Sequence, residues 1–298
     1  MNHEPPKTDL PTVDVLLNAT SLTYSHCEQA YYMTVVRGLR TLEQIEAINM
    51  GNALHKYAEL RALGSDNSGA LVRAIDVYRG DHTQLLVQAC AQMPADIPCA
   101  YTDARGQKYV EHKFKIYWQT IVFEGTAFNI WICGTFDIVT LTGEGIVRIR
   151  DYKSTRRWKA SEVFELYRTS VQCRFYLWAA QRFGHHMFDL PVANATDRNF
   201  LYLQHTGIFL SGTHPRWVHG SIIQLTLEEL AAFEQLLLNQ IMSVILPAWL
   251  RPITRGMVNG TCDGCNFTRY CFESTQNGKD IALHGYQEVP YDPMTFRT

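Results

Sequence analysis

Asp137, Asp151 and Lys153 are the residues whose types and spacing most directly suggest chemistry. Asp137 lies in the strand-like segment Gly134-Thr-Phe-Asp137-Ile-Val. Fourteen residues later, Ile149-Arg-Asp151-Tyr-Lys153-Ser-Thr carries a second carboxylate and a lysine. Asp151 and Lys153 are two apart, so on a strand both point to one face. A hairpin return through Thr142-Gly-Glu-Gly145 would place Asp151 near Asp137. Two close carboxylates in a partly buried cleft repel unless a cation neutralises them. Hard oxygen ligands and phosphate substrates favour magnesium or manganese, which would lower the pKa of a bound water and hold a scissile phosphate. Lys153 could orient or help deprotonate that water and offset phosphate charge. Taken alone, the Asp-x-Lys spacing also fits an edge hairpin with ordinary surface charges.

Other residues add to this constellation. His55 follows Gly51 in a helical stretch, and a neutral imidazole can supply a nitrogen ligand beside carboxylate oxygens. Glycine at 51 would let that helix approach a sheet closely. Gln172 and Tyr176 are spaced i, i+4 on one helix face, where an amide and a phenol can bind phosphate or a base edge, or fix the geometry of a metal site. Each of these also has an ordinary packing role. Cys262, Cys265 and Cys271 form a Cys-x2-Cys-x5-Cys triplet that needs a fourth ligand, and Cys27 in the first helix can supply it. Spacing alone leaves zinc and a four-iron cluster open, with zinc slightly ahead. Cys90, Cys99, Cys133 and Cys173 lack such spacing and read as core thiols.

The elements that must position these groups follow from patterning. Residues 1–17 read as a flexible polar arm. Thr20 or Ser21 caps a first helix through Cys27 and Tyr32, and a second helix covers 42–63. Residues 70–93 look helical. Strands are expected over 109–118, 128–141 and 146–151, then 200–205 and 218–224. Helical spacing spans 161–183, and Thr226-Leu-Glu-Glu229 opens a helix to about Leu246, ended by Pro247 and Pro252. Residues 276–298 read as a C-terminal tail.

Composition bounds the function class. The chain has 298 residues, is 46% apolar and contains 29 Tyr and Phe, enough for a substantial core. A formal net charge of −2 excludes a uniformly basic coat but permits a local basic channel, for which Arg156, Arg157 and Lys159 are the best candidates. They fit a solvated helix entrance equally well. No apolar run of membrane-spanning length or apolar leader is read, so the expected location is the cytoplasm, without a membrane partner. Clustered cysteines in a reducing compartment indicate a metal site rather than disulfides. No phosphate loop is present, so an ATP-driven helicase is not built into the sequence.

As a whole the pattern resembles the RecB-like branch of the PD-(D/E)xK nuclease superfamily. The matching motifs, in the family's order, are Gly51 to His55, Gly134-Thr-Phe-Asp137, Asp151-Tyr-Lys153 and Gln172-Cys-Arg-Phe-Tyr176. The resemblance covers roughly 18–272. It implies an α/β fold with a central mixed β-sheet flanked by helices, a restriction-endonuclease-like core within a single domain over 18–275, and a helical insertion at about 56–100. It implies that His55, Asp137, Asp151 and the Tyr152 carbonyl bind the catalytic metal, that Lys153 is the catalytic lysine, and that Gln172 and Tyr176 contact DNA or shape the site. Asp151 departs from the glutamate more usual in this branch. Glu111 weakly matches an additional upstream acidic residue.

Iron–sulfur members, such as the AddB-type nuclease domain and CRISPR-associated adaptation nucleases, place one cysteine before the core and three after it. The resemblance therefore implies a [4Fe-4S] cluster on Cys27, Cys262, Cys265 and Cys271, joining the two ends of the chain, with zinc as the alternative. Cys27 lacks the following proline common in those relatives. The implied activity is a metal-dependent DNA exonuclease acting on single strands or DNA ends in recombination, repair or phage DNA processing, with a recombination or helicase protein as partner. The rivals are an endonuclease or adaptation-type nuclease, a non-catalytic iron–sulfur DNA-binding scaffold, and a zinc-bearing interaction protein.

Overall fold

The computed structural model describes residues 4–41, 46–94, 99–142, 146–156, 159–188, 201–211, 214–251, 262, 265–273 and 275–293. In chain order it begins with β1 (Thr12–Leu17), α1 (Ala19–Tyr24), α2 (Glu28–Tyr31) and β2 (Leu39–Thr41). Next come α3 (Glu46–Ala62), α4 (Asn67–Val77), α5 (Thr83–Ala91), β3 (Val110–Phe123), β4 (Thr126–Leu141) and β5 (Val147–Thr155). They are followed by α6 (Ala160–Arg168), α7 (Val171–Met187), β6 (Leu201–Phe209) and β7 (Arg216–Ile223). The last are α8 (Leu227–Gln240), α9 (Leu246–Leu250), α10 (Thr268–Phe272), α11 (Gln276–Ala282) and β8 (Tyr286–Glu288). The chain forms two compact units. One comprises Ile45–Phe114 and Thr135–Leu227, the other Asn2–Gln44, Lys115–Gly134 and Glu228–Thr298.

The first unit is an α/β layer built on a mixed sheet. β4 pairs β5 antiparallel from Ile138↔Arg150 to Leu141↔Val147, and β5 pairs β6 parallel from Val147↔Leu201 to Thr155↔Phe209. A parallel pair needs a crossover, and α6 and α7 lie in that connection. β6 then pairs β7 antiparallel, with a register shift between Gln204 and Thr206. Central β5 is buried at Val147, Ile149, Asp151 and Tyr152.

Met50, Leu54, Tyr57 and Ala58 of α3 share one core with Ile138, Tyr152 and Ile208 of the sheet. A Cβ on Gly51 would stand 3.1 Å from Ser154 Oγ, so the helix approaches β5 closely where it lacks a side chain. Ala70, Ala74, Leu86 and Ala89 of α4 and α5 belong to the same core, so the segment read as an insertion packs as part of this unit. The helix expected over 161–183 is two helices. Ser170 accepts the Cys173 N–H and starts α7, while its own hydroxyl donates to Tyr167 O.

In the second unit, residues 12–17, placed in the arm by composition, form β1. They run parallel to Ala127–Ile132, with Val15 and Leu17 fully buried. The first helix is capped by Asn18, not by Thr20 or Ser21. Asn18 Oδ1 accepts the Ser21 N–H, and Ser21 Oγ accepts the Asn18 N–H. It breaks at 25–27, and Cys27 stands at the N-cap of α2.

The segment read as a tail contains α11 and β8, and β8 pairs β2 antiparallel from Leu39↔Glu288 to Thr41↔Tyr286. Gly38 precedes that pairing at φ +66°, where a Cβ would collide with the Val289 carbonyl. The expected stop at Pro247 is passed. α8 continues through a π-helical turn at Ile241–Ile245 into α9, and Pro247, which has no N–H to donate to the preceding turn, stands directly after that irregular turn. Leu227–Leu250 is therefore 24 residues long, and by length and composition it could cross a membrane. Its buried Phe233, Leu237, Ile241 and Ile245 recur every four residues, the stripe of a helix packed on a protein core. Pro252 lies outside the described residues.

Candidate metal and catalytic site

All seven candidate residues of the acidic site that the structure places belong to the first unit. His55 sits one turn after Gly51 on the sheet-facing side of α3, and its ring meets Tyr152 edge-on at 6.2 Å. Asp137 lies on β4 just beyond the last β4–β5 pair, Ile138↔Arg150. There its carboxylate takes the role of a main-chain acceptor, because Asp137 Oδ2 accepts the Tyr152 N–H at 2.8 Å. The same oxygen is 3.3 Å from His55 Nδ1, and both side chains are largely shielded from solvent.

Glu111 completes this group. One ligand atom from each of His55, Glu111 and Asp137 lies within 4.8 Å of the other two. Glu111 has φ +47°, a left-handed conformation that is costly for a residue with a side chain. Among the described residues, His55 Nδ1 is buried without an aligned hydrogen-bond donor or acceptor. A buried ring nitrogen beside two carboxylates is a donor set that fits a divalent cation.

Asp151 is held differently. Its Oδ1 accepts from Lys153 Nζ at 3.0 Å and from Gln172 Nε2 at 2.9 Å, while Oδ2 meets His205 Nδ1 at 2.9 Å. Burial alone would raise this carboxyl, but the Lys153 ammonium and the His205 bond hold it well below the usual carboxylate range. Burial works against the Lys153 charge, yet Asp151 and then Asp137 hold the ammonium above its ordinary pKa. Burial raises Tyr176, with the negative charge of Asp151 adding to the effect. Tyr176 meets Phe136 edge-on at 5.2 Å.

The structure thus brings His55, Asp137 and Glu111 into one ligand group and gathers Lys153, Gln172 and His205 around Asp151. Asp151 is not a member of the three-residue group, and Tyr152 contributes its N–H to Asp137. Two participants were not assigned roles from sequence. Glu111 had only a weak positional match. His205 offered no local signal, since its relation to Asp151 arises from the β5–β6 register. Of the basic candidates, Arg156 is exposed, Lys159 pairs with Glu162 at 2.8 Å, and Arg157 lies outside the described residues.

The four cysteines of the split motif belong to the second unit and are each partly buried. Thr268 Oγ1 donates to the carbonyls of Cys262 and Cys265 at 2.7 and 2.9 Å, and the Cys271 N–H donates to Phe267 O. Burial raises the Tyr24 phenol, and the nearby Cys265 adds to it. Tyr24 accepts the Cys27 N–H through its carbonyl. Cys265 also packs on a cluster of Met33, Leu39 and Phe267. Cys90, Cys133 and Cys173 are buried, whereas Cys99, expected in the core, is exposed.

Residues 18–272 match the PD-(D/E)XK nuclease superfamily, and the chain belongs to it. That assignment supports a nuclease-type enzyme acting on DNA, with a restriction-endonuclease-like mixed sheet flanked by helices. The crystal structure of SSO0001 aligns over 76% of this chain and 86% of its own, with 14% identity and a TM-score of 0.29. Among curated proteins none matches.

Proposed function

We propose that the protein is a divalent-metal-dependent deoxyribonuclease, an exonuclease acting on single-stranded DNA or DNA ends in recombination, repair or phage DNA processing. The observation that carries this reading is the His55–Glu111–Asp137 ligand group beside the Asp151–Lys153 pair. His55, Glu111 and Asp137 would hold magnesium or manganese, with Asp151 and the Tyr152 carbonyl as further ligands. When bound, the cation supplies Lewis-acid polarisation of the scissile phosphodiester and offsets its charge.

The chain's own groups do the rest. Tyr152 N–H fixes the Asp137 carboxylate, Gln172 and Lys153 orient Asp151, and the Lys153 ammonium stands ready as a donor to phosphate or attacking water. Arg156, Arg157 and Lys159 would guide the strand through its backbone charge. The test is incubation with end-labelled linear and circular single-stranded DNA, with magnesium or manganese and with chelator. Metal-dependent release of nucleotides from linear DNA alone supports the exonuclease. Cutting of circles favours the endonuclease rival, and binding without cleavage favours the scaffold.

We further propose that Cys27, Cys262, Cys265 and Cys271 bind a [4Fe-4S] cluster whose task is structural. The hydrogen bonds from Thr268 Oγ1 to the carbonyls of Cys262 and Cys265, which tie two of the clustered cysteines to one turn, support it. Anaerobic purification with iron and sulfide assays tests it. About four irons per chain are expected for such a cluster, lost with Cys27→Ser. One zinc without sulfide would reject the metal while keeping the ligand set.

A further inference from the structure

Among the described residues Asp151 has three side-chain partners, and the motif residues account for two of them, both on Oδ1. The third comes from a strand that carries no motif. His205 stands beside Asp151 in the parallel β5–β6 register, and the two side chains, each 2% exposed, meet through Nδ1 and Oδ2 at 2.9 Å. An ionised carboxylate only accepts, so the bond requires the proton on Nδ1. Nε2, also buried, has no hydrogen-bond partner among the described residues, so no competing contact selects the other tautomer. The Tyr167 ring, 5.1 Å from the imidazole, limits the ring from α6.

A carboxylate bonded only through Oδ1 can still swing about its terminal torsion, which is broad and shallow. A second bond on Oδ2 removes that freedom. We propose that His205 is a positioning residue that locks the Asp151 carboxylate, so that Oδ1 keeps facing Lys153 and Gln172. Outer-layer partners of this kind typically change metal affinity or activity by ~10- to 100-fold. The catalytic consequence rests on the nuclease reading, whereas the hydrogen bond itself does not.

The test compares His205→Asn, whose amide can place a donor near the former Nδ1, with His205→Leu, which removes it. The expected result is a kcat reduced ~10- to 100-fold in His205→Leu with the KM for DNA little changed, and recovery of most of the rate in His205→Asn. Equal loss in both variants, or no loss in either, overturns the proposal. A readout independent of turnover is the side-chain nitrogen NMR spectrum of the histidines. A neutral His205 protonated on Nε2 sinks the proposal whatever the activity. An Nδ1-protonated His205 in a wild-type protein that cleaves no DNA leaves the positioning bond standing and removes the nuclease reading.

Discussion

Asp137 Oδ2 accepts the Tyr152 N–H at 2.8 Å, on the strand that carries Asp151 and Lys153. This one bond ties the Gly134–Asp137 segment to the Asp151–Lys153 segment where their main-chain ladder ends at Ile138↔Arg150. The carboxylate of Asp137 is consequently held by backbone, with a ligand atom within 4.8 Å of those of His55 and Glu111.

Lys153→Met removes the ammonium while keeping a long apolar stem. Turnover should fall by ~10²- to 10³-fold, the usual cost of losing one donor aimed at developing charge. Far-ultraviolet circular dichroism should remain that of the parent. Unchanged turnover would show that the lysine serves only its ion pair with Asp151.

Glu111→Gln keeps shape and removes a charge from the proposed ligand group. The manganese concentration giving half-maximal activity should rise by ~10- to 100-fold. Isothermal titration with manganese alone checks the same point without substrate. Equal affinity in the variant and parent would leave the φ +47° backbone of Glu111 without a ligand role.

Gly51 separates two outcomes by size. Alanine gains up to ~1 kcal/mol of helix propensity against a 3.1 Å contact to a rotatable hydroxyl, so urea unfolding should move little. Valine cannot be accommodated so easily and should cost ~1–3 kcal/mol. Indifference to valine would show that α3 does not need this close approach to β5.

Burial pushes the thiols of Cys90, Cys133 and Cys173 up to about 12. Unfolded thiols titrate near ~8.5, so above that pH the unfolded chain binds fewer protons than the native one. Their contribution to stability is complete below ~8.5 and declines as pH rises toward the folded value, by ~1 kcal/mol per thiol at pH 9.5. Urea unfolding at pH 8 and 9.5 measures the decline before most tyrosines ionise. Combined Cys→Ala substitution at 90, 133 and 173 should flatten it, and an unaltered decline would assign it to other groups.

Much of this was legible in sequence because it is local. The β4–β5 return follows from strand pattern and turn residues, and Asp151 and Lys153 share a face through strand alternation. Gln172 and Tyr176 share a face through helical spacing, both lying on α7. What escaped depends on pairing between distant segments. β1 is short and flanked by polar residues, so Val13, Val15 and Leu17 showed as a strand only against Ala127–Ile132. The break between α6 and α7 turns on a Ser170 cap that apolar periodicity does not register. His205 reaches Asp151 through a parallel register that no local spacing encodes, and Glu111 reaches His55 and Asp137 through an unusual backbone angle.

The most direct test of the account is manganese-dependent cleavage of end-labelled single-stranded DNA by the parent and by Asp137→Asn, with manganese binding followed on the same preparations by calorimetry. The account predicts cleavage in the parent that chelator abolishes. It also predicts that loss of the Asp137 charge weakens manganese binding and lowers turnover together, in a protein that still melts cooperatively. Cleavage that persists in chelator, or parental activity and metal affinity in Asp137→Asn, would contradict it.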